Sequence, residues 1–388
     1  MTVRIAAVSS SRADSGIQSA VWRALVETAG TDLHVLLTGM HCRDDAAEAE
    51  TPAAATTHRG GADLGGTEPA AAAAMAAIAA FAGEVYRRIR PDIVLVTGDR
   101  LDMLPAAAAT LPFNLPVAHL HGGEISAGAV DDRIRHALTK LAHLHFVATA
   151  AAARRLAQMG EELWRIHLTG APGLDRLRAA PRLAADALAA ELDLPTVAGL
   201  RLVTVHSETN SSDPLAPLDA VLAALDADPA PTLFTAANSD PGGSAIAERV
   251  ADFVAARGWA QYLATAGTTL YANLLRQAAV MVGNSSSGLI EAPLFGLPVV
   301  NVGGRQEGRE RGANVIDCAA EAAAVRTALA RAAAMPRRPG ASPYGDGFSA
   351  PRIAALVAGL PERATLLAKR FAAPGAPAPE EIEAALRA

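Results

Sequence analysis

Cysteine is nearly missing from this chain of 388 residues: only Cys42 and Cys318 are present. Two cysteines make no disulfide framework, and no C-x-x-C occurs. A reducing, cytoplasmic setting fits. Aromatic residues are scarce too, at 4%, and alanine tracts such as residues 70–74 fill helix positions instead. Basic charge is not in excess. The net charge of -6 argues against a nucleic-acid or anionic-membrane partner, either of which needs a basic face. It leaves room for a local basic pocket. No apolar run reaches about 18 residues without charges or turn formers, so no membrane span is expected. The first eight residues read as a strand, with no charged n-region and no cleavage pattern.

Several chemical signatures are also missing. No G-x-G-x-x-G follows a strand and no Walker A pattern occurs, so nicotinamide and ATP chemistry lack support. No G-x-S-x-G is present, which denies Ser285, Ser286 and Ser287 the nucleophile-elbow context. Five histidines crowd one region: His119, His121, His136, His143 and His145. Their spacing gives no H-E-x-x-H and no cysteine partner, so we expect no metal site. Hydrogen-bonded histidines of the core or of a cleft rim are the expectation.

What is present is a regular alternation. Short apolar, β-branched runs at 3–8, 33–38, 93–97, 117–120, 144–147 and 166–168 are separated by longer helical stretches. The pattern restarts at 202–205, 232–234, 279–282, 299–302 and 314–316. Runs apolar on both faces mark parallel strands in α/β units. The expected fold is α/β, with two doubly wound Rossmann-like domains facing a central cleft. Residues 1–172 would form the first domain and 173–371 the second. Residues 372–388 would be a Pro/Ala-rich tail. The Gly-rich stretch 58–68 reads as a mobile loop.

Polar residues fall where these strands end, which is where α/β sheets bind ligands. In 283–298 an apolar run leads into Gly-Asn-Ser-Ser-Ser-Gly, followed by a helix expected at 289–295. The loop offers backbone N–H groups and three hydroxyls to an anion, with Glu291 placed for a ribose hydroxyl. It reads equally as a capped helix after a buried strand. Arg12 follows the first strand and suits a phosphate, or is a solvated arginine. Asp99 faces the cleft or caps the helix after it. Glu124 sits in a Gly-flanked turn that lets a substrate approach. Asp131 and Asp132 open a helix as caps, or join the other acids in acid/base work. His206 ends the first strand of the second half, as an acid, a phosphate ligand or a core histidine.

Taken together these stretches resemble the UDP-hydrolysing UDP-N-acetylglucosamine 2-epimerases of bacterial sialic acid synthesis. The resemblance rests on Ser-Arg-Ala-Asp-Ser-Gly at 11–16, Thr-Gly-Met-His at 38–41 and Gly-Asp-Arg at 98–100. It continues in His-Gly-Gly-Glu at 121–124, Ile-Arg-His-Ala-Leu-Thr-Lys-Leu at 134–141, Gly-Asn-Ser-Ser-Ser-Gly at 283–288 and Gly-Arg-Gln-Glu-Gly-Arg at 304–309. It implies a GT-B-like fold with nucleotide held by the C-terminal domain, no metal and no redox cofactor. It implies a homodimer or homotetramer. The implied chemistry is anti elimination of UDP, then hydration of 2-acetamidoglucal to N-acetylmannosamine. Asp99, Glu124 and Asp131 would be the acid/base carboxylates. His206 and Arg12 would stabilise the departing diphosphate. Ser285, Ser286, Ser287, Gly288 and Glu291 would hold phosphate and ribose. A variant acting on a UDP- or GDP-linked 2,4-diacetamido-2,4,6-trideoxy sugar shares every motif. A catalytically silent nucleotide-sugar sensor would have lost a carboxylate. The family usually has Asp-Glu where this chain has Asp131-Asp132, and residues 42–66 are unfamiliar in composition.

Overall fold

The computed structural model describes residues 2–43, 50–65, 67–125, 130–208, 213–237, 242–340 and 342–372. The expected 372–388 tail thus falls, beyond its first residue, outside the described residues. The chain divides into two compact units. The first runs to Asp175 and resumes at Gly347, and the second is Arg176–Asp346.

The first unit is built on β1 (Val3–Ser9), β2 (Thr31–Leu37), β3 (Thr56–Arg59), β4 (Ile93–Thr97), β5 (Val117–Leu120), β6 (Leu144–Val147) and β7 (Ile166–Leu168). They form a seven-stranded sheet in the order β3-β2-β1-β4-β5-β6-β7, and every pairing is parallel. The second unit holds β8 (Arg201–Thr204), β9 (Thr232–Thr235), β10 (Ala260–Leu263), β11 (Val280–Gly283), β12 (Val299–Val302) and β13 (Val315–Cys318). Its six-stranded sheet runs β10-β9-β8-β11-β12-β13, again all parallel.

Central strands such as β4 are buried at every position, because helices cover both faces of the sheet. On one face of the first sheet, Trp22 and Leu25 of the helix Arg12–Glu27 pack on Ile5, Leu95 and Phe146. On the other, Ile78 and Tyr86 of the helix Glu68–Ile89 and Leu138 of the helix Val130–Leu141 pack on Val8 and Val96. Among the described residues, Glu68–Ile89 is long and apolar enough to cross a membrane by length and composition. It is a core helix: Ala74, Ile78, Ala82, Val85, Tyr86 and Ile89 are its buried face.

The strands β3 and β10 were not expected. Both lie at sheet edges, with half-exposed sequences Thr-Thr-His-Arg and Ala-Gln-Tyr-Leu. An edge strand needs no continuous apolar run, so the pattern that marks its neighbours is missing.

The end of the second domain needs correction. It was expected at residue 371, but the chain from Gly347 belongs to the first unit. The helix Ser349–Ala358 buries Ile353, Ala354 and Val357 beside Trp22 and Leu25. Asp175 receives its N-terminus, accepting from Ser349 N at 3.0 Å and Ala350 N at 2.7 Å. Further on, Lys369 Nζ lies 2.8 Å from the buried carboxylate of Glu161. Lys140 Nζ at 2.5 Å and His145 Nε2 at 3.0 Å complete that cluster.

This cluster sets an acid limit on stability. Burial pushes the Glu161 carboxyl up, but the bonds from His145, Lys140 and Lys369 outweigh it and hold it at about 2, against an ordinary 4.5. A depressed carboxylate contributes stability above its unfolded value, and loses it as pH falls through the folded one. Urea unfolding should therefore weaken on acidification from 4.5 towards about 2. Glu161→Gln should be less stable at neutral pH and have a shallower acid slope. Equal slopes for the two proteins would remove Glu161 as the cause.

Candidate active site

Each sheet reverses its strand order once, between β1 and β4 in the first unit and between β8 and β11 in the second. Ligands of open α/β sheets bind beyond the carboxyl ends of the strands at such points. Arg12, Asp99, His206 and Ser285 follow the ends of β1, β4, β8 and β11, while Glu124 follows β5 and Asp131, Asp132 and Glu291 sit on or at the end of helices.

In the first unit, Ser11 caps the helix after β1 by accepting from Asp14 N at 3.3 Å. Arg12 is the first helical residue, and it is exposed. Asp99 follows β4 across Gly98 and pairs with the guanidinium of Arg135. Arg135 is buried, and its second arm donates to the backbone oxygen of His121 at 2.6 Å. One arginine thus ties the loop after β4 to the loop after β5.

The loop after β5 is tightly folded. His121 has φ +60 and Gly123 has φ +76. A Cβ on Gly123 would come within 2.5 Å of Ala152 O, so only glycine fits there. For His121 the left-handed backbone costs on the order of 1 kcal/mol. The fold brings His121 Nδ1 to 2.6 Å from Glu124 Oε1. Glu124 therefore has a partner with which a proton can be exchanged.

Asp131 and Asp132 lie in the first turn of the helix Val130–Leu141. Asp131 is one turn before Arg135 on the same face. Its carboxyl is raised above its ordinary value, first by burial and next by the charge of Asp99. Asp132 lies 3.5 Å from His136 Nε2.

The clustered histidines are committed to protein partners. His119 Nε2 lies 2.8 Å from Gly98 O, and burial lowers its pKa to about 3, so the ring is a neutral donor. His143 Nδ1 accepts from Val117 N at 3.2 Å. His145 meets Glu161, His121 meets Glu124 and His136 meets Asp132.

In the second unit β11 ends at Gly283, with φ +133, where a Cβ would lie 1.9 Å from Thr204 O. Asn284 is fully buried. Its Oδ1 accepts from His206 N at 2.7 Å, and its Nδ2 donates to His206 O at 2.8 Å. The two bonds mimic a strand pairing and fix the backbone of His206 after β8. Ser285 Oγ caps the next turn, 3.4 Å from Ser287 N.

The helix here begins at Ser286 and ends at Ile290, followed by a tighter turn Ala292–Phe295. It starts earlier than the expected 289–295, and Pro293, which lacks an N–H, stops it from running on. Gly288 packs against Val299, whose Cγ1 would lie 2.8 Å from an added Cβ. Glu291 accepts from the hydroxyl of Ser287, which also meets Tyr271. Burial raises the Glu291 carboxyl.

Two residues of this geometry were missed from sequence as individuals. Arg135 stood only inside a motif, and Asn284 only as one polar letter of a turn. The available signal for Arg135 was its i, i+4 spacing from Asp131 on a helix.

Two all-parallel α/β sheets with polar loops at their switch points give a GT-B-like fold. Residues 23–358 match the family described as UDP-N-acetylglucosamine 2-epimerase, and the chain belongs to that family of nucleotide-sugar 2-epimerases. It is 35% identical over 379 residues to the UDP-N,N'-diacetylbacillosamine 2-epimerase (hydrolyzing) of Legionella pneumophila, covering 95% of this chain and 99% of the relative. It is 30% identical over 330 residues to the UDP-N-acetylglucosamine 2-epimerase of Neisseria meningitidis, covering 81% and 83%. In fold it is similar to the UDP-GlcNAc 2-epimerase structure from Methanocaldococcus jannaschii, with TM-score 0.72 and 17% identity, covering 92% of this chain and all of that one.

Proposed function

We propose that this protein is a hydrolysing nucleotide-sugar 2-epimerase, which takes a UDP-linked 2-acetamido sugar and water to the free 2-epimeric sugar and UDP. The observation that carries this reading is the unlike setting of the acids in the first unit. Asp131 is half-buried, and its carboxyl is raised first by that burial and then by the charge of Asp99, while Glu124 is paired with His121. Carboxyl groups held in different environments can divide acid and base work between them.

The reaction would proceed in two steps. A carboxylate removes the C2 proton as the C1–O bond breaks, releasing UDP and leaving the 2-acetamidoglucal. Water then adds its hydroxyl at C1, and a proton returns to C2 on the opposite face. Asp99, Glu124 and Asp131 are the proposed proton carriers. Arg12, His206 and the N–H groups at Ser285–Ser287 would meet the charge that grows on the diphosphate. Glu291 and Gly288 would serve the ribose side, and Asp132 would orient substrate. No cofactor or metal is required by these steps.

With UDP-N-acetylglucosamine the product is N-acetylmannosamine. A 2,4-diacetamido-2,4,6-trideoxy sugar is the second reading. It is favoured by the longer and closer match to the Legionella protein than to the Neisseria one. A cytoplasmic homodimer or homotetramer is the working form this reading takes.

Incubation with each UDP-sugar in deuterated water, followed by NMR, tests both points. Free UDP should appear together with the 2-epimer carrying deuterium at C2. A UDP-linked epimer accumulating without free UDP would exclude hydrolysis. Turnover of one sugar and not the other would decide the substrate.

A further inference from the structure

The loops after β8, β11 and β12 are joined in a ring. Glu208, two residues beyond His206, sends its carboxylate to the loop after β12. Its Oε1 accepts from Gly304 N at 2.8 Å and Arg305 N at 3.0 Å. Gly303 makes the room: it has φ +80, and a Cβ there would lie 2.4 Å from the same oxygen. The same loop then reaches the one after β11. Gln306 is 2% exposed, and its Nε2 donates to Asn284 O at 2.9 Å. The Arg305 guanidinium adds a longer bond to that oxygen at 3.4 Å. Asn284 closes the ring with its two bonds to the His206 backbone.

We infer that Glu208 is a positioning residue for His206 and for the Ser285–Ser287 loop, acting through the loop after β12 and through Asn284. The physical reason is the order of the contacts. Hydrogen bonds run without a break from Glu208 through the turn at Gly303–Gln306 to Asn284 and on to His206. A carboxylate that accepts two backbone N–H groups holds such a turn more firmly than a neutral oxygen would. Released from it, the turn keeps only its backbone bonds, such as Gly303 N to Cys318 O at 3.0 Å, and the grip of Gln306 on Asn284 O loosens. Asn284 then fixes His206 less well, although Glu208 makes no bond to Asn284.

The nucleotide part of the inference rests on the proposed function, while the ring itself does not. Two measurements keep them apart. In Glu208→Ala, amide hydrogen exchange at His206, followed on the protein alone, should rise about tenfold. UDP affinity by calorimetry should fall about tenfold. Glu208→Gln keeps an oxygen that can accept both N–H groups but loses the charge, and should restore part of each effect. Gln306→Ala cuts the ring at a different bond and should speed exchange at His206 in the same way. Unchanged His206 exchange in Glu208→Ala and Gln306→Ala would overturn the inference. So would a Glu208→Gln protein no better than Glu208→Ala, or a Glu208→Ala protein that binds UDP more tightly. If the wild-type chain fails to bind UDP while the exchange results hold, the ring stands and the nucleotide reading falls.

Discussion

Glu124→Gln should lower turnover by about 10²- to 10⁴-fold, with little change in KM and none in thermal stability. The amide has the same size as the carboxylate and can still hydrogen-bond His121, so the loop after β5 keeps its shape. What it loses is the ability to carry a proton at that oxygen. Release of UDP from the UDP-sugar gives kcat and KM, and a melting curve on the same sample checks the fold. A wild-type rate would remove Glu124 from the chemistry. A rise in KM with unchanged kcat would reassign it to substrate binding.

Gly283→Ala is the second large effect expected, and it acts on folding. Backbone φ at Gly283 is +133, and an added Cβ would sit 1.9 Å from Thr204 O, a backbone atom of the neighbouring strand. Strain of this kind costs about 1–3 kcal/mol, and an overpacked site costs a similar amount. The loop and β8 would have to part to admit the methyl group, breaking the Asn284 bonds to His206 with them. A loss of about 3–5 kcal/mol is expected in urea unfolding, together with loss of UDP binding. A Gly283→Ala protein as stable as the parent would contradict the geometry given for this turn.

The central strands were legible in the sequence because burial on both faces leaves an unbroken apolar run. Residues 93–97 and 117–120 show this, matching β4 and β5 residue for residue. Two of the four edge strands, β3 and β10, are half solvated and carry polar residues in place of such a run, so they went unseen, while the edges β7 and β13 keep short apolar runs and were read. The return of residues 347–372 to the first unit was illegible for another reason. An amphipathic helix shows that it has a partner, and nothing in Ser349–Ala358 says that the partner is Trp22. The candidate residues could be named from where strands end. Their electrostatics could not, because Asp131 acquires its raised carboxyl from burial and from Asp99, residues apart in sequence and neighbours only in the fold. Side chains that hold their neighbours in place, such as Arg135 on Asp99 and Asn284 on the His206 backbone, were hidden in the same way.

The late return of the chain bears on how the protein is made. Arg165 NH1 donates to Leu366 O at 2.9 Å, across a separation of 201 residues. During synthesis the segment up to Asp175 leaves the ribosome long before Trp22 can be covered by Ile353, or Glu161 can meet Lys369. The second unit is continuous in sequence, so every residue it needs has been made while the first still waits for its last helix. The nascent first unit must therefore carry an uncovered tryptophan face through the synthesis of the whole inserted unit. A chain halted before Ser349 should be the form most prone to capture by chaperones.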